Sequence, residues 1–406
     1  MKSLVSRINM LVLAVITVTS ASAELTLPDI FSDHMVLQQG IKVPLWGTSG
    51  AGSSITVQFR GQTQSTKADA QGKWRVQLDT MVATSDQTGT DLTVETGGVT
   101  NVIHDVVVGE VWLGSGQSNM ALPCSAEKQY QGARPEDIAA ARFHGLRLIG
   151  NLGAKPKDAW SVCTPETIAD WSALMFYSGR ELHQQLKVPV GLIVAGRGLS
   201  SVSAWITTED FMRDEGCRKA WLEWCQVGFP RAQAEHEAKT AEWDRMYGPS
   251  ATPAPGVKVP PRPGRFKCQN DPKGPRGCGG YYRFLEPVVG YGIRGLIWDQ
   301  GESGSGVPGV EWNTIMIGML SGWRHAWGQD FPMLYVQKPS GLGRAFGNRP
   351  GGLPRDPRED PLLTQVAGGF GRQAFQELAR RVGLADCQDP AFVLLRETLA
   401  SWFGLG

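Results

Sequence analysis

The stretch Asp105-Val106-Val107-Val108-Gly109-Glu110-Val111-Trp112-Leu113, continued by Gly114-Ser115-Gly116-Gln117-Ser118-Asn119-Met120, decides the fold of this chain. Its first part is almost continuously apolar, the pattern of a strand buried on both faces of a parallel sheet. Its second part is small and polar. Small residues let the chain turn sharply where the strand ends, and the turn then presents the Ser118 hydroxyl at the carboxyl edge of the sheet.

Upstream, residues 24 to about 105 read as all-β. Ser54-Ile55-Thr56-Val57-Gln58-Phe59 and Trp74-Arg75-Val76-Gln77-Leu78 alternate with period two, and turn signals stand at Ala70-Gln71-Gly72 and Thr96-Gly97-Gly98. Short strands so spaced predict a small β-sandwich, as a supporting or sugar-binding module. Before it, Lys2 and Arg7, the apolar run Met10 to Val18 and Ala21-Ser22-Ala23 form the pattern of a cleaved secretory signal. The expectation is export to the periplasm or the outside, with Glu24 as the first mature residue. The run is too short to cross a bilayer, and no later segment is apolar enough, so no membrane span is expected in the mature chain.

Downstream the texture is α/β. Met175, Gly179, Leu182 and Leu186 share one helical face, Val190 to Ala195 is an apolar strand, Ile293 to Trp298 another, Val310 to Trp327 a helix, and Met333 to Val336 a further strand. Strands alternating with helices predict a three-layer α/β sandwich with a parallel sheet. Residues 207–246 are polar and helical in pattern, and 248–280 are dense in Pro and Gly. The expected boundaries are 1–23 for the signal, 24–105 for the sandwich and 106–340 for the α/β domain, with an insert at about 207–280. A tail, 341–406, follows.

Lys and Arg number 40 against 39 Asp and Glu, which gives no electrostatic reason to expect nucleic acid as a partner. Cys124, Cys163, Cys217, Cys225, Cys268, Cys278 and Cys387 match no zinc spacing. Their odd number leaves at least one thiol unpaired, and Cys268 and Cys278 flank a loop they could close. No metal or organic cofactor is implied.

Three segments carry chemistry, each directly after an expected buried strand. In Gly114 to Met120, Ser118 is the candidate nucleophile, which needs a base and donors for the oxyanion that forms on attack. In Gly196-Arg197-Gly198-Leu199-Ser200, a Gly allows close backbone approach, and its N–H can face an oxyanion. In Trp298-Asp299-Gln300-Gly301-Glu302-Ser303, the Gln300 amide is a candidate donor and Glu302 a possible acid or orienting group. Taken singly, each is as ordinary as a polar turn. Their common place after strands gathers them at one sheet edge. No G-x-S-x-G elbow is present.

Together with Phe31-Ser32-Asp33-His34-Met35-Val36-Leu37-Gln38, Val43-Pro44-Leu45-Trp46-Gly47, Gly109 to Leu113, Ser115 to Met120, Ile293 to Trp298, Gln300 to Ser303 and Pro332 to Gln337, these motifs resemble the sialate O-acetylesterases, within the Ser-Gly-Asn-His hydrolases. The resemblance spans about residues 25–338. It implies a flavodoxin-like hydrolase fold and a carboxylic ester hydrolase that removes acetyl groups from O-acetylated carbohydrate. It also implies Ser118 as catalytic nucleophile, and an oxyanion hole of the Ser118 N–H, the Gly198 N–H and the Gln300 amide.

The chain departs from that pattern in three places. The family has two adjacent Gly where this chain has Gly198-Leu199, so the backbone donor could stand at either position. It has an aromatic residue where this chain has Asp299. It takes its catalytic His from a carboxyl-terminal Asp-x-x-His-Pro, whereas His34, His104, His144, His183, His236 and His325 are the only histidines here. The catalytic His is therefore unknown. From about Ser340 the resemblance gives way to a stretch rich in Arg, Pro and Gly, as in a diverged or frameshifted tail. Two alternatives to an active esterase stay open: a non-catalytic carbohydrate-binding relative, and an inactive frameshifted product.

Overall fold

The structure, a computed structural model, describes residues 25–85, 87–126, 132–150, 159–248, 260–264, 266, 279–300, 304–307, 310–336 and 364–366. The expected signal, Glu302, Cys268, Cys278, Cys387 and the tail apart from 364–366 lie outside the described residues.

The amino-terminal part is built from β1 (Val36–Gln38), β2 (Val43–Thr48), β3 (Ser54–Phe59), β4 (Gln62–Lys67), β5 (Lys73–Leu78) and β6 (Thr90–Thr96). β3 pairs antiparallel with β4 and β6, and β2 with β5. The period-two pattern sends Ile55, Val57 and Phe59 inward to meet Trp74, Val76, Leu78, Leu92 and Val94 in one core.

The next strand, β7 (Val99–Gly116), belongs to both halves of the molecule. Val99 to Val106 pairs antiparallel with β6, Val107 to Gly109 parallel with β1, and Glu110 to Gly116 parallel with β10 (Val190–Gly196). From Val106 onward every residue of β7 is buried. Its apolar run, with the longest continuous burial among the described residues, thus becomes the central strand.

Around it stand α1 (Ser118–Ala121), α2 (Pro135–Ala139), β8 (Phe143–Gly150), β9 (Ser161–Cys163), α3 (Ala173–Leu186), α4 (Thr208–Arg213), α5 (Glu215–Glu223), α6 (Phe229–Tyr247), β11 (Gly295–Asp299), α7 (Trp312–Trp327), β12 (Met333–Val336) and β13 (Thr364–Val366). The sheet order is β13-β12-β11-β7-β10-β8-β9, parallel except for β9 at the edge. The expected helical stretch 207–246 is α4 to α6 with a π-helical turn at Trp224–Gly228.

Alternation along the parallel strands separates two cores. Val111, Leu113, Ile193, Ala195, Leu296 and Trp298 face Ile315, Met319 and Trp323 of α7. Trp112, Leu192, Val194, Leu146, Leu148 and Ile297 face Leu174, Met175 and Phe176 of α3. The result is helix, sheet, helix: the three-layer α/β arrangement expected from the sequence. α3 is capped at its start by the Ser172 hydroxyl, which accepts from the Met175 N–H at 3.2 Å. It ends at Lys187 in a left-handed conformation.

Two polar networks fasten the halves together. The fully buried Glu110 accepts from Arg294 Nε at 2.7 Å and Nη2 at 2.9 Å, from Gln39 Nε2 at 2.6 Å and from Gln38 Nε2 at 3.2 Å. Asp105 takes His34 Nδ1 at 2.7 Å, Arg147 Nη2 at 3.1 Å and the Gly89 N–H at 3.1 Å, while Arg147 Nη1 donates to the Asp105 carbonyl.

A third cluster gives acid sensitivity. Burial alone would raise the Asp137 carboxyl, but hydrogen bonds from Arg134, Tyr177 and Arg180 outweigh it and hold it at about 2. The unfolded value is about 3.9, so the stabilisation is present above pH ~4 and is lost as pH falls from about 4 to about 2. Urea melts of Asp137→Asn and the parent should therefore differ at neutral pH and converge through that window. A constant difference down to the lower end would contradict the assignment.

Cys124, Cys163 and Cys217 are buried free thiols, and Cys225 is a half-buried one. Burial pushes the Cys163 thiol up to about 12, so it is an inert core group. Among the described residues no helix is long and apolar enough to cross a membrane.

Candidate active site

Gly116 is the last residue of β7, and its Cα is paired on one side with Gly196 of β10 and on the other with Asp299 of β11. The strand therefore ends between neighbours whose connections run to opposite faces of the sheet, the place where such sheets bind ligands. Gly116 has φ +135, and a Cβ built on it would lie 2.2 Å from the Asp299 carbonyl oxygen, so only glycine fits. Backbone bonds then lock the three strand ends together: Gln117 N–H donates to the Asp299 carbonyl at 3.0 Å, and Arg197 N–H to the Gly116 carbonyl at 3.1 Å.

The short helix α1 starts at Ser118, with Met120 and Ala121 N–H groups turned back onto the Gln117 carbonyl. Met120 is buried beneath it, and its carbonyl accepts from the Ser172 hydroxyl at 2.6 Å. Ser118 itself is exposed. Its hydroxyl has no hydrogen-bond partner among the described residues.

Gly198 stands across from it: a Cβ built there would be 3.6 Å from Ser118 Cβ, an ordinary contact. The Ser118 and Gly198 N–H groups have no backbone acceptor among the described residues. The loop that carries Gly198 is tied down by Ser200, whose hydroxyl donates to the Arg197 carbonyl at 2.7 Å and accepts from Trp205 Nε1 at 3.0 Å.

The left-handed position of this loop falls on Leu199, with φ +60, and its side chain is 91% exposed. A non-glycine residue held there costs about 1–2 kcal/mol. Leu199→Gly is expected to stabilise the chain by about 1 kcal/mol in urea melts. A loss of stability would show that the side chain makes a favourable contact.

Gln300 is also brought to this edge, one residue beyond Asp299, and is 98% buried (2% exposed). Its amide is not presented as an open donor. Nε2 donates to the Ser200 carbonyl at 3.1 Å and to the Gly304 carbonyl at 3.2 Å, which uses both of its hydrogens. Gln300, expected from the sequence as a third oxyanion donor, here braces the loop of Gly198 against the loop at Gly304. Nothing in the tetrapeptide says which carbonyls its loop will meet. The Oε1 atoms of Gln117 and Gln300 are both buried without a hydrogen-bond donor. Glu302 lies outside the described residues.

The histidines stand elsewhere. His34 is bonded to Asp105, eleven positions before Gly116 on the same extended strand, which at a rise of about 3.3 Å per residue is roughly 35 Å away. His104 pairs with Asp91 at 3.1 Å. His144 and His183 lie at the amino ends of β8 and β10, where His183 Nδ1 is 2.7 Å from the Val188 carbonyl. His325 is in the last turn of α7, which leads into the amino end of β12, and His236 on α6 bonds the Gly264 carbonyl at 2.8 Å. No described hydrogen bond joins any of them to Ser118.

Two residues at this edge were missed from sequence. Gln117 and Asp299 are both buried beside the serine turn. The signal for Asp299 was available, since an acid ending an otherwise apolar strand is out of place in a core.

No family model matches the chain. It is 26% identical over 346 residues to the sialate O-acetylesterase of Rattus norvegicus, covering 76% of this chain and 59% of that protein. It is 25% identical over 344 residues to the sialate O-acetylesterase of Homo sapiens, covering 77% of this chain and 57% of that protein. The chain thus spans less than three fifths of the curated relatives it matches. Among solved structures it is similar in fold to a carbohydrate acetylesterase from Xanthomonas citri, with a TM-score of 0.59 and 21% identity over 89% of this chain and 74% of that one.

Proposed function

We propose that this chain, a relative of the sialate O-acetylesterases, is a carboxylic ester hydrolase that removes acetyl groups from O-acetylated carbohydrate. The observation that carries the reading is the juxtaposition of Ser118 with Gly198 at the carboxyl edge of β7 and β10, beside the end of β11.

In this reading the Ser118 oxygen attacks the ester carbonyl carbon. The carbonyl oxygen becomes an oxyanion and is held by the Ser118 and Gly198 N–H groups. Donors already fixed by the fold need no reorganisation when the charge appears, and one such donor is worth about 2.7–4 kcal/mol of barrier. Gln300 keeps the Gly198 loop in place by its two carbonyl contacts. Collapse of the intermediate releases the sugar hydroxyl and leaves acetyl-Ser118, which water then cleaves to acetate.

With no histidine near Ser118 among the described residues, turnover is expected to be slow. The same observation favours a second reading, a relative that binds acetylated sugar without cleaving it. We also propose export, on the basic, apolar and A-x-A segments of residues 1–23.

Acetate release from O-acetylated sialic acid, from acetylated plant or bacterial polysaccharide and from an activated acetyl ester tests the proposal. Slow release from the activated ester and from at least one sugar class is expected. Binding of acetylated sugar with no acetate formed would establish the second reading instead.

A further inference from the structure

We infer that Asp299 takes the hydroxyl proton of Ser118 and so acts as the general base of this chain. The inference rests on the serine-esterase reading above and fills the place that its histidines leave empty.

The position of Asp299 is fixed by three independent features. Its Cα is paired with Gly116, and its carbonyl accepts from the N–H of Gln117, the residue before Ser118, at 3.0 Å. Its side chain leaves the sheet on the serine's side. Leu296 and Trp298 belong to the core of α7, while Ile297 belongs to the core of α3, so alternation places Asp299 on the α3 face. α1 lies on that face as well: Met120 is in the same core, and α1 packs against α3 and touches β11. Finally, Asp299 is only 4% exposed, at the end of a strand whose preceding residues are all apolar.

Within two positions of the carboxyl ends of β7, β10 and β11, the described ionisable side chains are Asp299 and Arg197. Arg197 is exposed, and a guanidinium has no lone pair to accept a proton. Asp299 is thus the acid–base group that the fold places beside the turn of the nucleophile. No hydrogen bond joins it to Ser118 in the structure, so the proton transfer requires the two to close together once substrate is bound. Asp299 also marks the position at which the chain departs from the aromatic residue of its family.

The proton balance closes over both half-reactions. As Ser118 Oγ bonds to the acetyl carbon, its proton passes to the Asp299 carboxylate. When the intermediate collapses, the ester C–O bond breaks and the sugar oxygen takes that proton. In the second half a water gives its proton to Asp299 while its oxygen bonds to the acetyl carbon. The bond to Ser118 then breaks, Asp299 returns the proton to Ser118 Oγ, and acetic acid leaves, giving its remaining proton to the solvent as it becomes acetate.

A fluorophosphonate probe tests this on the full chain without requiring turnover. The Ser118 oxygen bonds to phosphorus, fluoride leaves, and the proton goes to the base. The folded parent should be labelled at Ser118, located by peptide mass spectrometry. Asp299→Asn, of nearly equal volume, should slow labelling by about 100- to 10,000-fold, the usual contribution of a general base. Asp299→Glu should keep an intermediate rate, and thermal melts should show both variants folded. If Asp299→Asn does not fold, Asp299→Phe, which restores the family's aromatic, takes its place with the same expected loss. Labelling of the neutral variant at the parent's rate, with Ser118→Ala unlabelled, overturns the base and leaves the serine reading standing. Slowing by Glu302→Gln but not by Asp299→Asn moves the role to Glu302 and overturns it equally. A folded parent that is not labelled at Ser118 overturns both.

Discussion

Ser118→Ala is expected to reduce acetate release to the uncatalysed background, with the fold unchanged. The serine is exposed on the first residue of α1, and its hydroxyl bonds no described group, so its removal breaks no contact on which the fold depends. What it removes is the atom that becomes acylated in the proposed mechanism. In serine hydrolases that loss is worth on the order of a million-fold in kcat, and the residue of activity comes from binding and the oxyanion donors alone. Here the parent is itself expected to be slow, so the measurable fall is smaller and ends at the background. The check is acetate release from the activated ester by both proteins, alongside their melting curves. Equal rates would remove Ser118 from the mechanism, whatever else stands at this edge.

The largest expected effect on stability comes from further back along β7. Glu110 has no exposure and is held by Arg294, Gln38 and Gln39. Breaking a buried ion pair by removing one partner typically costs about 3–5 kcal/mol, because the remaining charge is left uncompensated. Glu110→Ala should show a loss of that size in urea denaturation. Arg213→Ala, which removes pairs of a half-exposed arginine with Glu209 and Asp210, should cost about 1 kcal/mol or less. The double variant Glu110→Leu/Arg294→Met should recover much of the loss, since well-packed apolar replacements of such pairs are often neutral or better. A loss below 1 kcal/mol for Glu110→Ala would mean that water reaches Arg294 freely.

Where burial is decided locally, the fold was readable. β3 and β12 have the bounds read from their patterns, and the helix expected at Val310 to Trp327 runs from Trp312 to Trp327. β8 was not recognised, because His144, Gly145 and Arg147 interrupt its apolar run. Arg147 is nonetheless buried, since it meets Asp105, 42 positions earlier, and no local pattern reports that partner. β4, Gln-Thr-Gln-Ser-Thr-Lys, carries no apolar alternation at all and is a strand because β3 offers it a ladder. The candidate site follows the same division. Ser118, Gly198 and Gln300 could be grouped because each follows a buried strand, and the sheet brings them to one edge. The engagement of the Gln300 amide with Ser200 and Gly304 depends on the path of two loops, and the place of Asp299 depends on register between β7 and β11. Neither is written in a local pattern.

The unbroken course of β7 also bears on how the molecule can move. A flexible connection would let the sandwich pivot against the α/β layers. One strand that is a ladder member of both cannot bend at their junction without giving up hydrogen bonds to β1 or β10. The two halves therefore share one ladder at their junction, and opening at the candidate site falls to the loops beyond the strand ends, at Gly198 to Ser200 and at Gly304.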